Sequence, residues 1–105
     1  MTDTELDALA RRVGEALAAR GWRLASAESC TGGWIAEAVT AISGSSAWFE
    51  RGFVTYSNEA KMEMLGVSAQ TLAEHGVVSE TTVREMAEGA LARSLADVAV
   101  AVSGV

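Results

Sequence analysis

Three hydroxyl-bearing residues each follow a stretch of sequence that is typical of a β-strand. They are Ser29, Tyr56 and Ser103. Ligands of open parallel sheets bind beyond the carboxyl ends of the strands, and we therefore expect these hydroxyls to lie near one another at that edge. The pattern predicts a ligand site with a reactive serine, although many ligands would fit it.

Ser29 opens a turn that leads from a predicted strand into a predicted helix. The turn continues through Thr31, Gly32 and Gly33. Backbone amides at a helix N-terminus attract negative charge, and paired glycines let a substrate approach the backbone closely. We predict that these three residues, together with Ser103, bind substrate and stabilise a phosphate or a developing oxyanion. An ordinary helix-capping turn is the alternative that this segment alone leaves open.

A serine hydroxyl is a poor nucleophile unless a neighbouring base accepts its proton, so Ser29 needs a partner. His75, the single histidine, stands where a helix is expected to end, and a capping or surface role suits it better than catalysis. Lys61 is the better candidate base, because burial lowers the pKa of an amine toward neutrality. The flanking Glu59 and Glu63 leave open the alternative of a solvated helix residue.

Three further residues are predicted to support the site without reacting. Glu28 would hold the turn by accepting backbone hydrogen bonds, or would be an ordinary charged residue at a strand end. Cys30 would pack as a small buried residue behind the serine, the alternative being a reactive thiol at a helix N-terminus. Asn58 stands at the start of the helix that is expected to carry Lys61.

Hydrophobic periodicity divides the chain into alternating helices and strands. Apolar residues three and four positions apart predict helices, whereas alternating or unbroken apolar runs predict strands. The predicted helices are a first one from a Thr2–Glu5 capping box to Gly21, then 34–42, one capped by Ser57 or Asn58 that runs through Leu65 and stops at Gly66, one between Ser68 and Gly76, and one capped by Ser79 whose apolar stripe reaches Leu95. The predicted strands are 22–28, 49–56 and 97–102.

The last predicted strand decides the fold class. Its unbroken pattern of valine and alanine is typical of a strand covered on both faces, which favours a parallel sheet between helices. We therefore expect an α/β fold with a mainly parallel sheet in a three-layer α/β/α arrangement. The sequence stops directly after this strand, where α/β domains usually carry ligand contacts, so we expect a single domain that is truncated at its C-terminus.

Composition and charge narrow the function classes. The 105 residues are half apolar, enough for one small domain. A net charge of −6 without a basic stripe argues against binding to nucleic acid or to an anionic membrane surface. A single cysteine, no export signal and no apolar run long enough to span a bilayer predict a cytoplasmic protein.

Several ordered motifs together resemble those of the CinA C-terminal domain family. They are Ala-Glu-Ser-Cys-Thr-Gly-Gly at 27–33, Tyr-Ser-Asn-Glu-Ala-Lys at 56–61, Leu-Gly-Val at 65–67, His-Gly-Val-Val-Ser at 75–79 and Met-Ala-Glu-Gly at 86–89. Their matching order and separations extend from Leu24 to Gly104. A set of this kind is far more specific than any one glycine pair.

The resemblance implies hydrolysis of nicotinamide mononucleotide to nicotinic acid mononucleotide and ammonia, a step in pyridine-nucleotide recycling. It implies Ser29 as the nucleophile and Lys61 as its base or activating cation. Tyr56 would supply a nearby hydroxyl that relays a proton or orients the lysine. Neither a metal nor a cofactor is implied, and the partner is a small-molecule nucleotide substrate.

The chain departs from the family pattern at its end. It stops before a glycine-rich loop of the Ala-Gly-Pro-Gly-Gly kind and before the later strands of the domain. We therefore expect residues 1–105 to be the N-terminal two-thirds of an amidase domain, with incomplete contacts to the phosphate and ribose of the substrate. An incomplete sheet edge and exposed tryptophans would also favour a homo-oligomer.

Two other functions fit the sequence. One is a non-catalytic nucleotide-binding or assembly module of the same fold, since a fold does not dictate a function. The other is a serine amidase that acts on a different small amide.

Overall fold

The computed structural model describes residues 1–104. Within this range the chain forms five α-helices and three β-strands, and three helices in succession separate the last two strands. In chain order they are α1 (Asp3–Arg20), β1 (Leu24–Glu28), α2 (Trp34–Thr40), β2 (Phe49–Val54), α3 (Asn58–Leu65), α4 (Ala69–His75), α5 (Glu80–Ala92) and β3 (Val98–Val102). A short 3₁₀ turn, Ser45–Ala47, precedes β2. None of the helices in residues 1–104 combines the length and the apolarity that crossing a bilayer requires.

The three strands form a parallel sheet with β1 in the centre, in the order β2-β1-β3. The register pairs Glu28, the last residue of β1, with Val54 of β2 and with Val102 of β3. The carboxyl ends of all three strands therefore meet at one edge. This confirms the predicted parallel sheet.

Helices cover both faces of the sheet. Successive residues of β1 point to opposite faces, so the strand contributes side chains to a core on each side. Leu24 packs with apolar residues of α1 and α2 and with Trp48, whereas Ala25 and Ala27 pack with residues of α3 and α5. The expected α/β class with three layers, α/β/α, is confirmed.

Local capping chemistry sets most of the helix boundaries. The Thr2–Glu5 capping box starts α1, and a glycine in the left-handed conformation, Gly21, follows its last residue. The cap of α3 is Ser57, whose hydroxyl accepts from an amide of the first turn, so Asn58 is the first helical residue and not the cap. Ser68 and Ser79 cap α4 and α5 as predicted.

Two expectations about the C-terminal part of the chain are wrong. The last helix ends at Ala92, so Leu95 lies outside it and is 67% exposed. The spacing of apolar residues predicted a longer helix, but spacing alone does not show where the helical backbone stops. In the described residues β3 pairs only with β1, and Val100 is 43% exposed. One face of β3 is thus incompletely covered within residues 1–104.

Candidate active site

The site begins where the ends of the three strands are tied together. One residue beyond β1, the amide of Ser29 donates to the carbonyl of Val102 at 3.1 Å. One residue beyond β2, the amide of Thr55 donates to the carbonyl of Glu28 at 2.8 Å. Ser29 is buried, and the sheet holds its backbone amide.

Lys61 lies in α3 and is almost fully buried, with 1% of its surface exposed. Its Nζ is 3.0 Å from Ser29 Oγ, 3.1 Å from the carbonyl oxygen of Thr55 and 3.0 Å from that of Tyr56. Burial lowers the pKa of Lys61. The alternative of a solvated helix residue is therefore wrong, whereas His75 is exposed at the end of α4.

Lys61 Nζ lies within donating distance of three oxygens, which fits an ammonium with three hydrogens and, with one bond reversed, a neutral amine. A neutral amine has two hydrogens and one lone pair, and the carbonyls of Thr55 and Tyr56 can accept those two hydrogens. The lone pair is then left for the Ser29 hydroxyl. The sequence did not predict the hydrogen bond between Lys61 and the carbonyl of Thr55, because any residue type can supply a backbone carbonyl.

The turn after Ser29 is held by Glu28, which is completely buried. Its carboxylate accepts from Thr31 Oγ1 at 2.7 Å, from the amide of Ile35 at 2.7 Å and from the amide of Ala36 at 3.0 Å. These are backbone and side-chain bonds of the kind that the sequence predicts for a residue that orients the turn.

A cavity of about 350 Å³ opens above Ser29 and Lys61, a size that small ligands commonly occupy. Its other lining residues are Cys30, Tyr56, Asn58, Val77 and Gly104. Cys30 is exposed, so the expectation of a small buried residue is wrong: the chain has left the sheet at this point, and the thiol lines the cavity. The side chain of Tyr56 is 78% exposed at the same cavity, and its recorded bond to Lys61 is through its carbonyl.

The predicted substrate-binding residues of the turn lie beside this cavity without lining it. The amide of Gly32 donates to the carbonyl of Ser29, and Gly33 forms the cap of α2 at a φ of 112° that only glycine adopts easily. The hydroxyl of Thr31 is bonded to Glu28. Substrate contacts by these residues stay a prediction.

Ser103 follows β3 at the same edge of the sheet. Its Oγ is buried and has no hydrogen-bond partner within residues 1–104. Sequence reasoning did not single out Val77 and Gly104 as lining residues; Val77 belongs to the motif at 75–79, which could have drawn attention to it.

With the fold and the site described, the chain can be compared with known proteins. A family model described as the CinA C-terminal domain matches residues 6–105. The chain belongs to the CinA C-terminal domain family. This confirms the resemblance seen in the sequence motifs.

Members of this family include close relatives of the chain. The nicotinamide-nucleotide amidohydrolase PncC of Escherichia coli strain K12 is 63% identical over 105 residues, which are all of this chain and 64% of that protein. A CinA-like protein of Chloroherpeton thalassium is 55% identical over 97 residues, which are 92% of this chain and 23% of that protein. The chain thus spans about two thirds of the amidohydrolase and a smaller part of the longer relative.

Solved structures of CinA-family proteins share the fold. The competence/damage inducible protein CihA from Agrobacterium tumefaciens superposes with a TM-score of 0.94 at 51% identity, covering 100% of this chain and 62% of that one. The competence damage-inducible protein A from Klebsiella pneumoniae gives a TM-score of 0.92 at 52% identity, covering 94% of this chain and 62% of that one. The three-layer α/β arrangement is therefore that of the family.

Proposed function

We propose that this chain carries the hydrolytic centre of a nicotinamide-nucleotide amidohydrolase, which converts nicotinamide mononucleotide and water to nicotinic acid mononucleotide and ammonia. The observation that carries the proposal is the contact of 3.0 Å between the buried Nζ of Lys61 and Ser29 Oγ. A serine beside a desolvated amine is suited to acyl transfer, because the amine can take the hydroxyl proton. The relatives named for this activity support the choice of substrate.

In the first half of the proposed reaction, Ser29 Oγ attacks the carboxamide carbon while its proton passes to neutral Lys61. The tetrahedral intermediate carries its negative charge on the former amide oxygen. The amide of Cys30, which lines the cavity next to Ser29, stabilises this oxygen, whereas the amide of Gly32 already donates to the Ser29 carbonyl. Collapse breaks the C–N bond, Lys61 returns its proton to the leaving nitrogen, and ammonia departs.

The first half leaves an ester between Ser29 and the nicotinic acid moiety, and the second half hydrolyses it. Lys61, neutral again, takes a proton from water, and the resulting hydroxide attacks the ester carbonyl. The bond to Ser29 Oγ breaks, and Lys61 gives the proton back to the serine. The acid is released, and the site returns to its starting state.

The test is production of nicotinic acid mononucleotide from nicotinamide mononucleotide by the chain, beside Ser29→Ala and Lys61→Met, with circular dichroism to show that both variants fold. Turnover by the parent and loss of at least about a hundredfold in both variants is the expected result. Binding of the nucleotide without turnover would support the non-catalytic module instead. Turnover of other small amides in preference to the nucleotide would support a different serine amidase.

The wider setting of the site is also a proposal. We expect a homo-oligomer in the cytoplasm whose partner is a small nucleotide and not a nucleic acid or a membrane. Exposed apolar side chains such as Trp34, which is 60% exposed, support self-association. Sedimentation equilibrium would show a mass above the 10.9 kDa of one chain.

A further inference from the structure

Glu28 is a buried carboxylate outside the pair of residues that the proposed reaction uses. None of its surface is exposed, and an isolated charge in such a place would be costly. Three donors offset that cost: the Thr31 hydroxyl and the amides of Ile35 and Ala36. Bonds to an ionised acceptor are among the strongest that proteins form.

Two of these bonds replace the usual cap of α2. The cap residue is Gly33, which has no side chain and makes no capping bond. The amides of Ile35 and Ala36 are those that a serine or aspartate cap would normally bond, and here they donate to a carboxylate from the preceding strand. The negative charge that the N-terminus of α2 favours is therefore supplied by the protein's own Glu28.

The backbone of Glu28 is held separately by the sheet. Its carbonyl accepts from the amide of Thr55 at 2.8 Å, and the next residue, Ser29, donates to Val102 at 3.1 Å. One residue therefore connects both ends of the turn that carries the nucleophile: its main chain belongs to β1 and its side chain holds α2.

We propose that Glu28 is a positioning residue that acts through Ser29, holding Ser29 Oγ against Lys61 Nζ at the floor of the cavity. The inference rests on the proposed serine amidase activity and extends it to a residue that touches neither the substrate nor the lysine. A loosened turn would move Ser29 Oγ away from Lys61 Nζ, and water from the cavity could then take the place of the serine beside the amine.

The sharpest variant is Thr31→Val, which has nearly the same shape and removes one donor to Glu28. We expect kcat to fall about tenfold with KM within about twofold of the parent, since a displacement of about 1 Å at reacting atoms can cost up to about a hundredfold. Water near Lys61 would raise its pKa toward the ordinary value, so the rise of activity with pH should move to higher pH. Thr31→Ser keeps the hydroxyl and should restore most of the rate.

Thr40→Val is the matched control. It also removes a threonine hydroxyl from the region of α2, one that donates to the Ala36 carbonyl at 2.7 Å, but it lies at the other end of the helix. It should leave kcat and the pH profile unchanged. Cys30 and Tyr56, the other titratable residues that line the cavity within residues 1–104, are present in every variant, so their contribution is the same in each comparison.

A second readout does not depend on the nucleotide. Diisopropyl fluorophosphate labels reactive serines, and intact mass follows the rate at which it labels Ser29. This rate should fall about tenfold in Thr31→Val and also in Glu28→Gln. In Glu28→Gln the side-chain NH₂ would face the N–H of Ala36, so two donors would meet without an acceptor. Labelling of the parent without nucleotide hydrolysis would leave the inference standing while the proposed function fails.

Three outcomes would overturn the inference. The first is equal labelling and equal kcat in parent and Thr31→Val. The second is a loss of activity that follows only the loss of thermal stability, with the pH profile unmoved, since that marks a purely structural role. The third is a parent that neither hydrolyses nor is labelled, because Glu28 would then have no reactive serine to position.

Discussion

At the scale of single residues, the chemistry depends on the charge state of Lys61. A lysine in water is protonated and useless as a base at neutral pH. Here α3 buries the side chain, and the carbonyls of Thr55 and Tyr56 take two of its hydrogens. The amine that remains can accept a proton from Ser29, which is what the proposed reaction requires.

The pH dependence of activity follows from this residue. Because the proposed reaction uses neutral Lys61, kcat/KM should rise with pH as Lys61 loses its proton. Since burial lowers the pKa of Lys61, the midpoint should lie below 10.5, the ordinary value for lysine. The measurement is kcat/KM against pH for the parent, for Lys61→Met and for Glu59→Gln, an exposed neighbour on the same helix.

Lys61→Met should remove this limb of the profile together with at least about a hundredfold of the rate. Glu59→Gln should leave the profile where it is. A midpoint at the ordinary lysine value, or the same limb in Lys61→Met, would contradict the assignment of Lys61 as the base.

At the scale of elements, α3, which carries Lys61, packs closely against α5. A Cβ added at Gly89 of α5 would collide with the carbonyl oxygen of Leu65, the last residue of α3. A change of rotamer could not relieve this collision, because the Cβ is attached directly to the backbone of α5 and the oxygen belongs to the backbone of α3. The glycine thus sets the distance between the two helices.

We predict that Gly89→Ala destabilises the fold. Alanine favours an isolated helix by about 1 kcal/mol over glycine, but forcing apart α3 and α5 should cost more, giving a net loss of about 2 kcal/mol or more. Urea unfolding measures the free energy directly. The control is Glu88→Ala, one residue away on the exposed side of α5, which should change it by less than about 0.5 kcal/mol. An unchanged midpoint for Gly89→Ala would show that the helices do not approach as described.

At the scale of the whole molecule, β1 joins two separate cores. Leu17 and Trp48 belong to the core on the side of α1 and α2, and Met86 belongs to the core on the side of α3 and α5. Alternate residues of one strand contribute to both. In a domain this small, the two cores should therefore unfold together.

This cooperativity can be measured with substitutions in one core and a probe in the other. Met86→Ala should lower the free energy of unfolding by about 2 to 5 kcal/mol, and the transition seen by tryptophan fluorescence should shift as far as that seen by circular dichroism. Leu95→Ala, at a residue that is 67% exposed, is the control and should shift neither. Separate transitions by the two probes would mean that the cores are independent.

The sequence alone determined the features that depend on local chemistry. Capping residues such as Ser68 and Ser79 fix where helices start, and the hydrophobic period distinguishes helix from strand. The unbroken apolar run of the last strand predicted a parallel sheet, and ordered motifs predicted the family. Each capping residue, hydrophobic period and motif is recognised from a short segment of the sequence, so no knowledge of the fold is needed to detect them.

Only the tertiary structure decided which groups meet. Lys61 is 32 residues from Ser29, and its burial depends on how α3 packs against the sheet. The same applies to the Thr55 carbonyl, to the exposure of Cys30 and to the partly uncovered face of β3, because burial and backbone direction are properties of the packed layers. Residue types at a given spacing name the candidates, whereas distances and desolvation, which set pKa values and reactivity, exist only once the chain has folded.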